Sequence, residues 1–152
     1  MKSICTDNLA YNFPVSIKGI VIIEGKVPLL KNERNEFELP GGKLEIDEQP
    51  IECIAREIKE ELNLKIHVAE ILDSWLYKIT KNISVVIVTY GCILAADYSS
   101  LTISSEHEEL IMAGIDEIDN LNMPNGYKNS IKTWFNKYHS GYERVRIKNN
   151  FK

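Results

Sequence analysis

Cysteine is scarce in this chain of 152 residues: Cys5, Cys53 and Cys92 stand far apart, form no CxxC pair and are odd in number. That pattern argues against a disulfide framework and fits reduced thiols in a cytoplasmic protein. A zinc site is equally poorly supported, because His67, His107 and His139 are scattered and no cysteine pair assists them. No apolar run approaches the roughly 18 residues of a membrane span. The opening residues, Met1 to Asp7, lack the hydrophobic core of a signal peptide. Positive charge is also short: 18 Lys and Arg face 22 Asp and Glu, a formal net charge of −4. A mildly acidic chain is a poor ligand for nucleic-acid phosphates or anionic membranes, so neither partner is expected. If the substrate is itself anionic, positive charge must be supplied locally, and a metal ion is the obvious source.

With 44% hydrophobic and 26% charged residues the composition is that of an ordinary globular protein. The length suits a single domain over residues 1–152, with a core at about 14–140 and a basic, mobile tail at 141–152. Residues Val15 to Ile23 are dense in β-branched side chains and predict a buried strand, followed by a short one from Val27 to Leu30. Phe37 and Leu39 alternate around Glu38, and Pro40-Gly41-Gly42 is expected to end any strand there. Ile51, Ile54, Ala55, Ile58 and Leu62 form one apolar stripe and predict a helix over Pro50 to Leu62. Pro50 suits its first position, Gln49 is a weak N-cap, and Asn63 is expected to close it in a left-handed conformation. Strands are expected at about Ile66–Ile79 and Ile83–Ala96, the second central because it is apolar throughout. A short apolar stretch follows at Leu110 to Ile115, and a last helix is expected from Tyr127 to Tyr138.

Chemistry concentrates between Leu39 and Leu64. At about 100° per residue, Glu57, Glu60 and Glu61 fall within roughly one 100° sector of the helix, away from the apolar stripe. Carboxylates crowded in this way repel one another unless a cation sits among them, and hard oxygen donors suit Mg²⁺ or Mn²⁺. A Pro-Gly-Gly turn just before the helix permits unusual backbone angles and close approach of bare carbonyls. Taken alone, Arg56-Glu57-Ile58-Lys59-Glu60-Glu61 reads first as a solvated helix face.

The full pattern resembles the Nudix box: Gly, five residues, Glu, seven residues, then Arg-Glu-apolar-any-Glu-Glu-any-Gly-apolar. Gly42, Glu48, Arg56, Glu57, Ile58, Glu60, Glu61 and Leu64 match at the family spacing, and Asn63 alone departs from it, in place of the second glycine. A chance match at these positions is on the order of 10⁻⁸ by composition. The resemblance implies an α/β fold, a Nudix-like α/β/α sandwich with a mixed curved sheet. It implies Mg²⁺-dependent hydrolysis of a phosphoanhydride in a nucleoside diphosphate derivative, with Mn²⁺ a substitute. Carried over by position, Glu57, Glu60 and Glu61 are metal ligands together with a carbonyl of Gly41 or Gly42. Arg56 holds Glu57 by an ion pair, and Glu48 stands behind the site or serves a further metal.

An extra glutamate is expected in the acidic segment Ser105-Glu106-His107-Glu108-Glu109, as ligand or general base. Glu109 is favoured because it leads directly into Leu110, with Glu106 the runner-up and a plain acidic loop the alternative. For the substrate, Asn125, Tyr127 and Phe37 are candidate contacts, with Trp75, Tyr77 and Tyr90 as further aromatics that could stack on a base, and packing is the simpler role for Phe37 and for these three. A small-molecule nucleotide is the expected partner, and a homodimer stays open. Nucleoside triphosphates, oxidised ones included, come first as substrates and nucleotide sugars next. A non-catalytic nucleotide-binding module is the alternative from another class, and the retained glutamates with Arg56 speak against it.

Overall fold

The computed structural model describes residues 11–104 and 109–149, with side chains described as far as Tyr138. In chain order the elements are β1 (Val15–Val21), β2 (Lys26–Lys31), β3 (Phe37–Glu38), β4 (Gly41–Lys43), α1 (Pro50–Leu62), β5 (Ile66–Lys78), β6 (Ser84–Leu94), β7 (Leu110–Gly114), a 3₁₀ turn (Ile118–Asn120) and α2 (Asn125–Asn149). The strands divide into a four-stranded sheet, β4-β1-β6-β5, and a three-stranded sheet, β3-β2-β7. The first is mixed, as expected: β1 runs parallel to β6, with Val15 opposite Val86 and Val21 opposite Cys92, while its other pairings are antiparallel.

Side chains alternate across β1 and feed a separate core on each face. Ile17 and Val21 meet Ile54, Ile58 and Leu62 of α1, and Ile20 meets Tyr127, Ile131 and Trp134 of α2. The result is an α/β/α sandwich in which β6, buried between β1 and β5, is the central strand its apolar sequence predicts. Gly19 lets α1 lie close, since a Cβ there would stand 2.8 Å from Ile54 and Ile58. The seating of α1 on β1 fixes where the carboxylates of its other side can reach.

Helix α1 has the predicted bounds, and Asn63 closes it at φ 54° and ψ 37°, its N–H bonded to the Lys59 carbonyl at 3.0 Å. The weak N-cap at Gln49 is supported from within the helix, because Glu52 accepts the Gln49 N–H at 3.0 Å. Its apolar stripe differs from expectation in one place: Ile51 is exposed, and Cys53 is buried instead.

Two boundaries also differ. The Pro-Gly-Gly segment does not end strand structure, because Gly41 to Lys43 pair with β1 as β4. The last helix begins at Asn125 and continues through Gly141 to Asn149, where the sequence places a mobile tail. Beyond Tyr138 the chain holds Glu143, Arg144, Arg146 and Lys148, all good helix formers, and no proline to stop the helix. Cys5 and the expectations for residues 1–10 lie outside the described residues. No helix among the described residues is long and apolar enough to cross a membrane.

Cys53 and Cys92 are both fully buried. Burial first of all, joined at Cys53 by the neighbouring Glu48, pushes each thiol up to about 12. Alkylation needs the thiolate. Neither cysteine should therefore be labelled by a thiol reagent at pH 8 in the folded protein, and both should react in urea. Peptide mapping of Cys53 or Cys92 labelled under native conditions would contradict this packing.

Candidate active site

The site is built where α1 passes the edge strand β4, with Glu57 and Glu61 coming from the second half of the helix. Because Lys18 and Gly41 are register partners across β1 and β4, the Gly41-Gly42 turn is held firmly against the sheet. Gly19 N–H donates to the Pro40 carbonyl at 3.0 Å and pins the approach to that turn. From α1, Glu61 reaches down and accepts the Gly41 N–H at 3.1 Å. Glu57 lies directly over Gly42, so that a Cβ on Gly42 would fall 2.5 Å from its carboxylate. Both carboxylates thus converge on the glycine turn, one on each residue.

Arg56 organises the outer side. It grips Glu48 through two bonds, Nε to Oε1 at 2.6 Å and Nη2 to Oε2 at 3.1 Å. Its Nη1 donates to Glu57 at 2.8 Å and to Glu60 at 3.2 Å. The guanidinium bonds hold the Glu48 carboxyl down at about 2. The same bonds, those to Glu48 foremost, raise Arg56 above its ordinary value. The ion pair expected between Arg56 and Glu57 is therefore present, and Glu48 stands behind it as a brace. Cys53 lies on the same side, its thiol directed at the carbonyls of Gly42 and Lys43 at 3.7 and 3.6 Å.

The three helix glutamates are not equivalent. Glu61 is buried, Glu57 is largely so, and the side chain of Glu60 is 59% exposed. Burial drives the Glu61 carboxyl up to about 7 against the opposing pull of Lys18 and the Gly41 N–H. As the side chains stand, no three His, Cys, Asp or Glu among the described residues are grouped closely enough to hold a metal ion. What the chain presents is a pair, Glu57 and Glu61, with backbone oxygen beside it, and Glu60 turned out to Arg56.

Other expected residues fall elsewhere. Glu109 pairs with Lys31 at 3.2 Å and borders an open cavity with Asn32, Glu33 and Asn35. Glu106 and His107 lie outside the described residues. Phe37 stands opposite Lys31 on β3, packs against the α2-side core and lies under the Lys31 ammonium at 5.6 Å. Its ring is partly buried in packing, the simpler of the two roles open to it from the sequence. Asn125 is exposed at the start of α2, and Tyr127 is almost wholly buried, edge-on to Trp75 with ring centroids 5.1 Å apart. Tyr127 reaches a cavity only as part of its wall.

That cavity, of about 140 Å³, opens beside the site and is lined by Ser16, Lys18, Arg34, Glu38, Lys43, Tyr77, Ile79, Val85, Ile87 and Tyr127. Tyr77, a stacking candidate for which packing is the simpler role, donates its hydroxyl to Glu36 at 2.5 Å and lies 5.8 Å from the Arg34 guanidinium. Lys18, Glu38 and Arg34 were not anticipated. For Lys18 a signal exists: it is the one charged residue of β1, on the same face as Ser16. Glu38 and Arg34 carry no comparable mark.

Known proteins agree with this arrangement. The model of the NUDIX domain matches residues 14–134. A "MutT-like protein" of Streptomyces ambofaciens is 36% identical over 80 residues, covering 51% of this chain and 50% of its own. The chain thus spans about half the length of that curated relative. Among solved structures, the MutT protein from Methanosarcina mazei Go1 aligns with a TM-score of 0.69 at 22% identity, covering 86% of this chain and 97% of that one. A UDP-X diphosphatase aligns at 0.68 and 21% identity, covering 91% and 69%. These structural likenesses establish the shared fold, and the family match extends over the strands, the glycine turn and the glutamate helix alike: the chain belongs to the Nudix family.

Proposed function

We propose that this protein hydrolyses a phosphoanhydride bond in a nucleoside diphosphate derivative, with a nucleoside triphosphate as first substrate and a nucleoside monophosphate and pyrophosphate as products. The observation that carries the reading is the convergence of Glu57 and Glu61 on the Gly41-Gly42 turn, with Arg56 locking Glu57 in place. The donor set fits a divalent cation. Two carboxylates with an adjacent backbone carbonyl are what Mg²⁺ takes from proteins, its remaining ligands being waters and substrate phosphates. The Gly42 cradle would be filled by any larger residue. Glu57, Glu61 and a carbonyl of Gly41 or Gly42 would hold the ion, with Glu60 joining by rotating away from Arg56. The chemistry such an ion supplies when bound is neutralisation of phosphoryl charge and a more acidic water.

The chain's own groups do the rest. Arg56 fixes the direction of the Glu57 carboxylate, and the Glu48 brace keeps the guanidinium from swinging to solvent. Water attacks phosphorus, and a carboxylate takes its proton. Glu109 is the candidate acceptor from the acidic segment. Glu109→Gln should then lower kcat by ~10²-fold, the usual scale of a lost general base. A near-neutral result would leave Glu109 as nothing more than the partner of Lys31.

The decisive experiment is a hydrolysis screen over nucleoside triphosphates, oxidised forms, nucleotide sugars and ADP-ribose, with Mg²⁺ and with Mn²⁺. We expect labelled oxygen from water in a phosphoryl product. A covalent phosphoenzyme trapped by acid quench would refute direct attack by water. Preference for nucleotide sugars is the second reading, motivated by the likeness to the UDP-X diphosphatase. Binding without turnover of any compound would establish the non-catalytic alternative.

A further inference from the structure

Lys18 is the least expected residue of β1. Its side chain is 8% exposed, and both strand neighbours are Ile17 and Gly19, which face the α1 core. A buried ammonium is costly unless paired, and a methionine of similar length would fill the same space without that cost. The partners of Lys18 identify its purpose. Its Nζ donates to the Gly41 carbonyl at 3.4 Å and lies 3.7 Å from the Glu38 carboxylate. Its charge also acts on Glu61, whose carboxylate is tied to the same glycine through the Gly41 N–H. One positive charge therefore touches a backbone oxygen offered to a divalent cation, belonging to the residue whose N–H bonds Glu61, and lines the neighbouring cavity beside Glu38.

We propose that Lys18 is a resident counter-cation of the carboxylate cluster, which competes with the divalent cation for the Gly41 carbonyl and the field of Glu61, and which keeps Glu38 as its partner when that cation binds. The inference rests on the metal-dependent reading above and deepens it. Lys18 would act as a positioning residue: it holds the glycine turn and the buried carboxylate in a neutralised arrangement without metal, and it sets how tightly metal is held. The cross-strand register between Lys18 and Gly41 fixes the lysine's backbone directly beside the turn, so its placement there is a property of the fold.

The test is Mn²⁺ binding, measured by titration calorimetry and by the loss of the free-ion electron paramagnetic resonance signal, for wild type, Lys18→Met, Lys18→Gln and Glu57→Gln. Removing a like charge a few ångströms from the ion should tighten Mn²⁺ by about tenfold or more. Both Lys18 variants should show this, and both should gain more in melting temperature on adding Mn²⁺ than wild type does. A residue that only packs the strand would weaken binding or leave it unchanged when replaced. Unchanged or weaker Mn²⁺ affinity in the Lys18 variants, with wild-type binding intact and lost in Glu57→Gln, overturns the inference and spares the metal site. Lys18→Gln keeps a hydrogen-bond donor near Gly41 and Glu38, so it covers the case in which Lys18→Met does not fold. Absence of Mn²⁺ binding in wild type would overturn both the inference and the metal-dependent reading beneath it.

Discussion

Glu57→Gln should reduce kcat/KM by ~10³-fold or more while leaving the metal-free melting temperature nearly unchanged. Three decades correspond to about 4 kcal/mol of barrier, within the several kcal/mol that metal-assisted charge stabilisation provides. The stability side follows from the surroundings of Arg56. Losing the charge on Glu57 removes one of its partners, but the bidentate grip on Glu48 and the pairs to Glu60 and Glu45 remain. In wild type Mg²⁺ should raise the melting temperature by mass action, and in the variant that rise should be mostly lost. Glu60→Gln sharpens the comparison. Its side chain is exposed and its contact with Arg56 is an i,i+4 pair, so its stability effect should stay under about 0.5 kcal/mol. If Glu60 joins the ion as the Nudix pattern implies, turnover should nevertheless fall by ~10²-fold or more, on the scale of a lost metal interaction. Full turnover in Glu60→Gln would make it a surface partner of Arg56 alone, and full turnover in Glu57→Gln would refute the catalytic reading of α1. Melts with chelator and with Mg²⁺ beside a turnover assay resolve these cases.

What could be read in the sequence was local, and what could not was set by long-range pairing. The bounds of α1 follow from an apolar period and from end signals within a few residues, and Asn63 adopts the left-handed angles its position demands. The central place of β6 follows from an apolar run that needs cover on both faces. The Arg56 to Glu57 pair lies between neighbours on one helix. By contrast, β4 exists because Gly41 and Gly42 pair with residues more than 20 positions earlier, and no turn signal reveals that. The helical sector holding Glu57, Glu60 and Glu61 is visible in the sequence, but its division into a buried, a largely buried and an exposed carboxylate depends on where the glycine turn comes to rest. Lys18 and Glu38 become a pair only once two sheets are packed together. Tyr127 and Phe37, attractive as aromatics near the end of the chain and before the box, are claimed by the core on the α2 face.

The adjacent glycines of the turn should separate folding from chemistry. Gly41 has φ +141°, a region essentially reserved for glycine, and a Cβ there would collide with the Ile17 carbonyl oxygen. That oxygen belongs to the backbone of β1 between β4 and β6 and cannot retreat without breaking strand pairing. Gly41→Ala should therefore destabilise the protein by about 3 kcal/mol or more, in the range reserved for strained backbone and core disruption. For a domain of this size that is a fall in Tm of ~10 °C. Gly42 is different. Its φ is not positive, and its Cβ would meet the carboxylate of Glu57, the far end of a side chain that can rotate away. Gly42→Ala should fold with a Tm within a few degrees of wild type, about 1 kcal/mol or less in stability. The displaced Glu57 would no longer point at the turn, so divalent-cation affinity and turnover should both drop by at least ~10-fold, the effect expected of a misdirected ligand. Circular dichroism melts of the two variants, with Mn²⁺ titration of each soluble one, check the contrast. If Gly42→Ala retains wild-type Mn²⁺ affinity and turnover, Glu57 does not act from its seat over the glycine turn. If Gly41→Ala melts like wild type, β4 is not held to β1 as described.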